Sequence, residues 1–230
     1  MRSDHGNALF LILTAVALFA ALSYAVTNSG RGGSGIDAEQ REIQISQLLQ
    51  YSAMLESTIQ RLRIINGCSE AELNFDNPDE TGYTNGDYDS ECSIYHPSGG
   101  GLSWINFEQT FNGGANFGVP IVLAANEVDG VGTTCAADSC VDLILVVNFA
   151  DENSNSLPMC NAINKRLGID VSPPPVDTNI TAGTKFTGSF TYNADLKVAG
   201  DVLLGKRSGC FQETTGGDND YQFYHVLLAR

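Results

Sequence analysis

The first apolar run of the chain is long and unbroken. From Asn7 to Val26 the sequence reads NALFLILTAVALFAALSYAV and contains no charged residue. As a helix rising about 1.5 Å per residue, such a run approaches the roughly 30 Å of a bilayer core. The pattern therefore predicts an apolar helix over residues 7–28 that can span a membrane.

A glycine-rich stretch follows this run. Its glycines each cost about 1 kcal/mol relative to alanine inside a helix. We therefore expect residues 29–35 to form a hinge at which the helix frays, bends or becomes extended. The hinge glycines are Gly30, Gly32, Gly33 and Gly35.

Beyond the hinge, apolar positions recur at spacings of three and four. This periodicity predicts an amphipathic helix over residues 36–65, with Ser34 and Asp37 as candidate caps and Asn66-Gly67 as its stop. One face of this helix needs an apolar surface to cover. The stripe consists of Ile45, Leu48, Ser52, Leu55, Ile59 and Leu62.

After Cys68 the sequence changes to short apolar runs separated by turn residues, which indicate strands. A segment with a serine cap and a glycine stop predicts one short helix over residues 156–168. The expected fold class is α+β: a long N-terminal helix, half membrane-spanning and half amphipathic, packed on an antiparallel sheet in a head of residues 36–230. The predicted strands are residues 102–107, 119–125, 141–149, 185–192, 201–204 and 221–229.

The charge and the cysteines narrow the class of protein. A formal net charge of −15 disfavours nucleic acid as a partner. Six cysteines without C-x-x-C pairs indicate disulfides in an oxidising compartment. Cys135–Cys140 is the expected local bridge, while Cys68–Cys92 around an acidic loop and Cys160–Cys210 are one of three connectivities open to the other four.

Two loops carry candidate sites for an ion or a modification. An oxygen-rich cluster in the acidic loop favours a solvated surface, with calcium as the alternative, although its order does not match a helix-loop-helix calcium site. Asn179 begins an N-x-T acceptor for glycosylation. The candidate calcium ligands are Asp76, Asp79, Asp87 and Asp89.

The sequence contains little that indicates catalysis. It has no H-E-x-x-H, no G-x-S-x-G and no P-loop. His225 lies in a strand-like run, YQFYHVLLA, where a structural role is the simpler interpretation. We therefore expect neither an enzyme nor a cofactor, with calcium as the one alternative.

The N-terminus allows two interpretations that involve no assembly. Ser23-Tyr24-Ala25 could end a secretory signal peptide that is cut after Ala25. A plain signal anchor would instead retain Met1 and tether a binding module that does not polymerise.

A third interpretation comes from a resemblance. The leader MRSDHG, the apolar helix that follows it, the amphipathic continuation and the disulfide-linked head together resemble the type IV pilin-like family, which includes pilins and type II secretion pseudopilins. The resemblance implies that a prepilin peptidase removes residues 1–6 by cutting between Gly6 and Asn7, and that the new N-terminus is methylated. The chain departs from the family at Asn7, where an aromatic residue or Met is usual, and at Leu11, where Glu is usual.

For this family the expected function is structural. The resemblance implies a subunit held in the inner membrane as a precursor and then built, with assembly machinery, into a periplasmic or extracellular filament of many copies. A membrane-anchored periplasmic or surface binding module is the alternative. The expected contacts of the filament core are Leu9, Phe10, Leu11, Ile12, Leu13, Val16, Leu18, Phe19 and Leu22.

Overall fold

The computed structural model describes residues 5–29, 33–77, 82–83, 90–108, 118–133, 135, 137–149, 155–177, 185–214 and 220–230. In residues 5–9, 25–29, 33–37 and 199 the description is limited to the backbone. The chain divides into two compact units, Met1–Ile43 and Gln44–Arg230. The helices are α1 (His5–Ser29), α2 (Gly33–Ile65) and α3 (Ser156–Arg166), and the strands are β1 (Pro120–Val128), β2 (Asp142–Phe149), β3 (Val176–Asp177), β4 (Ala194–Leu196), β5 (Ser208–Glu213) and β6 (Tyr221–Leu228).

The six strands form one mixed sheet in the order β3-β5-β6-β2-β1-β4. The four inner strands pair antiparallel, whereas β3 pairs parallel with β5 and β4 pairs parallel with β1. The two edge strands have two and three residues. Short edges limit the unpaired backbone that a sheet offers to other chains.

One face of the sheet is covered by the head part of α2. The predicted stripe is confirmed, because each of its six side chains is fully buried. Its polar member, Ser52, donates its hydroxyl to the carbonyl of Leu48 at 2.8 Å, which removes the cost of burying it. Alternate residues of β2, among them Leu143, Leu145 and Val147, complete this core.

The other face of the sheet has its own core. Ile144 and Val146 on β2 pack there with Val226 on β6 and with Val198 and Leu203 from the chain before β5. Both faces of β2 are therefore buried, which explains why LILVV is a continuous apolar run rather than an alternating one.

The expected fold class is wrong in two respects. The sheet is mixed rather than antiparallel, because chain from outside the hairpins adds the parallel edge strands β3 and β4. Among the residues that the structure describes, no helix is both long and apolar enough to cross a membrane.

The structure also decides the predictions of three further strands and of the short helix. Residues 102–107 and 185–192 form no strand, apart from a single bridge between Lys185 and Leu123. Residues 199–201 form a 3-10 turn in which Gly200 and Asp201 have φ of 81° and 52°, a left-handed conformation that a strand excludes. The short helix is present as α3, and Gly168 follows it with φ 71°.

The disulfides in the head are the three that were expected. The three disulfides join Cys68 to Cys92, Cys135 to Cys140 and Cys160 to Cys210. The last of these connects α3 to β5. The Asn164 side chain reinforces the connection: its Nδ2 donates to the carbonyl of Cys210 and its Oδ1 accepts the N–H of Cys210, both at 2.8 Å.

The hinge prediction falls partly outside the described residues. α1 continues to Ser29 and α2 begins at Gly33, so Gly33 and Gly35 have helical backbone. Gly30 and Gly32 lie outside the residues that the structure describes. The amphipathic helix thus begins three residues earlier than expected and ends where predicted, at Ile65.

Candidate functional site

The described part of α1 presents apolar side chains on every side. Four consecutive residues, 10–13, already cover the full turn of a helix with 3.6 residues per turn. The large apolar side chains here are between 61% and 72% exposed. They are Phe10, Leu11, Ile12, Leu13, Val16, Leu18, Phe19 and Leu22, which are all the expected filament contacts except Leu9.

The one threonine in this part of the helix does not interrupt its apolar surface. Thr14 donates its hydroxyl back to the helix, with acceptors at the carbonyl oxygens of Phe10 (3.1 Å) and Leu11 (3.0 Å). A hydroxyl satisfied within its own helix can enter an apolar environment without losing a partner in water. Thr14 is therefore compatible with burial.

This exposure has a large energetic consequence. Burying one side chain of the size of leucine or phenylalanine is worth about 1.5–3 kcal/mol. A helix that is apolar all round is normally buried in a protein core or a lipid phase. Among the residues that the structure describes, the surface of α1, defined by the eight side chains above, is therefore the strongest candidate for an assembly site.

The structure says less about the other residues that the sequence predicted as sites. Gly6, Asn7 and Leu9 have helical backbone within α1. Asp76 accepts the backbone N–H of Tyr83 at 3.0 Å through Oδ1, which is a structural role. Asp79, Asp87, Asp89 and Asn179 lie outside the described residues.

The structure does not assemble a metal site from the acidic side chains it describes. Within the described ranges, no group of three or more His, Cys, Asp or Glu side chains is arranged to hold a metal ion. A carboxylate that accepts a backbone N–H, as Asp76 does, is already partly satisfied. Calcium therefore gains no support from the described residues.

A polar constellation that the sequence did not predict joins α2 to the sheet. The Oγ of Ser208 on β5 lies 2.6 Å from Nδ1 of His225 on β6. The other ring nitrogen, Nε2, lies 3.0 Å from Oε2 of Glu56 on α2. Arg207 donates to Oε1 of Glu56 at 2.7 Å and to the carbonyl of Val226 at 3.1 Å.

Burial governs the electrostatics of this constellation. The side chain of His225 is 12% exposed. Burial lowers the pKa of His225 from its ordinary 6.5, and the positive charge of Arg207 also lowers it. The hydrogen bond to Glu56 and the negative charge of Glu56 raise the pKa, but they do not outweigh burial. His225 is therefore neutral at neutral pH.

The neutral ring has one favoured proton arrangement. The Glu56 carboxylate can only accept, so the proton lies on Nε2 and bare Nδ1 accepts the Ser208 hydroxyl. An acid, an imidazole and a hydroxyl in series have the order found in nucleophilic relays. Here the three groups connect α2, β6 and β5, and we call them the His225 relay.

Sequence reasoning missed this site for an identifiable reason. Ser208 and His225 are direct partners in the β5–β6 register. Since β5 was not predicted, its neighbour could not be assigned. Glu56 is polar on a helix face beside the apolar stripe, which is an ordinary position for a surface carboxylate.

Comparison with protein-family models, with curated proteins and with solved structures finds no match to this chain.

Proposed function

We propose that this chain is a structural subunit of a filament, assembled through the surface of α1. The observation that carries the proposal is the ring of large apolar side chains on α1, each more than half exposed. Packing such surface against similar helices removes it from water at about 25 cal/mol per Å². Many copies of one chain are the simplest source of matching helices.

The organisation of the head supports the same function. Its core is closed by its own α2 stripe, and its cysteines are all consumed in disulfides. Such a head can retain its fold while α1 makes contacts elsewhere. Each bridge contributes about 2–4 kcal/mol, which suits a domain outside the cell.

The resemblance to pilin-like proteins supplies the rest of the proposal. The precursor would be cut between Gly6 and Asn7 by a prepilin peptidase, and assembly machinery would move it into a periplasmic or surface filament. Leu11 occupies the usual place of Glu, so an all-apolar contact would replace the usual carboxylate-to-amine pairing.

The direct test is a charge in the apolar ring. Leu13→Asp in the full chain should abolish polymer that sediments at high speed, because a carboxylate without a partner is expensive to bury. Leu157→Asp is the matched control. It changes an exposed leucine at the start of α3, where an acid is favourable, and should leave the polymer intact.

The N-terminus of the mature protein provides a second, independent test. Mass spectrometry of the N-terminus should show a chain that begins at Asn7. A chain beginning at Val26 would overturn the proposal, because the whole apolar ring would be removed. An intact Met1 together with no sedimenting polymer in the unmodified protein would favour the anchored binding module instead.

A further inference from the structure

The constellation at Glu56 joins three elements of the head at one point. Glu56 extends from α2, His225 from the central strand β6 and Ser208 from β5, and the ring of His225 contacts both of the others. The neighbouring α2 residue, Leu55, belongs to the buried stripe. A change at His225 therefore acts on the docking of the head part of α2 near its centre.

We propose that Glu56, His225 and Ser208 form an acid-sensitive latch, which holds the head part of α2 on the sheet at neutral pH and loosens it when the histidine takes up a proton. This inference concerns the head alone and does not depend on filament assembly.

The hydrogen-bond pattern makes the latch sensitive to a proton. In the neutral ring both nitrogens are satisfied, one as donor to Glu56 and one as acceptor from Ser208. A proton on Nδ1 turns that nitrogen into a donor, so the Ser208 hydroxyl has to reverse and find another acceptor. The Nδ1–H group can then donate to Oγ of Ser208, so the cost of protonation is that the serine hydroxyl loses its acceptor in a partly buried site.

The surrounding charges do not cancel the new positive charge completely. Glu56 favours the protonated ring, but the same carboxylate already accepts the Arg207 guanidinium. The β2 residue paired with His225 is Leu145, which offers no compensating charge. Protonation thus places two cations around one carboxylate in a partly desolvated site.

The sign of the effect follows from the direction of the histidine shift. The folded-state pKa of His225 lies below the ordinary 6.5. A group of this kind contributes stability that is present above the unfolded value and lost as pH falls through the folded value. The latch should therefore be closed above about pH 6.5 and open progressively below it.

Histidine NMR on the full chain in a neutral detergent tests the proton arrangement directly. With isotope-labelled histidine, His225 should carry its proton on Nε2 at pH 7.5 and titrate below 6.5. The chain has three histidines, so His5→Gln and His96→Gln identify the other two signals and leave that of His225. A proton on Nδ1, or a midpoint at or above 6.5, would overturn the proposal.

Hydrogen exchange tests the mechanical consequence. After correction for intrinsic rates, opening of the α2 amides around Glu56 should increase by up to about tenfold per pH unit below 6.5. His225→Gln should remove this dependence, whereas His96→Gln, which changes a histidine outside the latch, should retain it. Equal pH dependence in the unmodified chain and His225→Gln would overturn the latch, and the NMR result stands even if that variant does not fold.

Discussion

α1 and the head part of α2 place their apolar residues in opposite ways. In α2 the stripe residues recur at spacings of three and four, and all of them are buried within the head. In the described part of α1 the apolar residues point in all directions, and the large ones are more than half exposed. One sheet face can cover a stripe, but it cannot cover a ring.

This difference separates two roles for apolar residues in one chain. The stripe of α2 stabilises the fold of a single molecule, because its partner surface is part of the same head. The apolar side chains of α1 lie all around the helix, so they favour surroundings that are apolar on all sides. Mutations in the two helices should therefore affect different measurements.

The largest effect on the head should come from its longest disulfide loop. Cys160 and Cys210 are separated by 50 residues, against 5 for Cys135 and Cys140. Replacing the first pair with alanine should lower the unfolding free energy by about 4 kcal/mol, and replacing the second pair by about 2 kcal/mol. Urea unfolding followed by fluorescence of the one tryptophan, Trp104, measures both. Equal losses would show that loop closure does not determine the stabilisation.

A matched pair of leucines compares the two helices directly. Leu55→Ala should destabilise the head by about 3 kcal/mol, because Leu55 is fully buried and leaves a cavity. Leu13→Ala should leave the same urea transition unchanged. A shift of the head transition by Leu13→Ala would mean that α1 also contributes to the stability of the head.

The buried carboxylate of Asp142 should make the stability of the head depend on pH in the direction opposite to His225. Its carboxylate accepts the backbone N–H groups of Val128 and Arg230, and burial raises its pKa from 3.8 to about 6. A raised pKa means stability that is present below 3.8 and lost as pH rises through about 6. Over this whole pH range the loss is on the order of 3 kcal/mol, since each unit of pKa shift corresponds to about 1.4 kcal/mol.

The variant Asp142→Asn isolates this contribution. Unfolding free energies at pH 4.5 and 7 should differ less in the variant than in the unmodified chain, because asparagine does not titrate. Its overall stability will be lower, since the amide accepts at one atom only. Only the difference between the two pH values therefore tests the prediction, and an unchanged difference would contradict it.

The smallest expected effect concerns the charge of the heads. In the proposed filament, a net charge of −15 on each copy would make neighbouring copies repel one another. Raising the salt from 0.01 M to 0.15 M shortens the screening length from about 30 Å to about 8 Å and should increase polymer mass by a few-fold. Polymer mass that does not change with salt would contradict this expectation. The ring of α1 should respond little, because it carries no charge.

Sequence patterns predicted the elements whose periodicity is complete. The α2 stripe, the central strands β1, β2 and β6, and α3 all follow from spacing, apolar runs and cap residues. Most of the pattern that predicts each of these elements lies within the element itself. Their positions are correct within a few residues at each end.

The missing parts of the prediction depend on distant contacts. β5 reads SGCFQE, with few strand-forming residues, and it is positioned by the Cys160–Cys210 bridge and by pairing with β6. β3 and β4 are too short for any local pattern. The relay at His225 could not be predicted, because it needs the β5–β6 register and the α2 docking at once.

The disulfides also determine how far the head can lengthen under a pulling force. A molecule stretched between its ends gains about 3.3–3.6 Å for each residue that is released. Residues inside a closed disulfide loop are not released, so the chain between Cys160 and Cys210, and that between Cys68 and Cys92, stays short. A stretched head would therefore extend less when its disulfides are oxidised than after they are reduced.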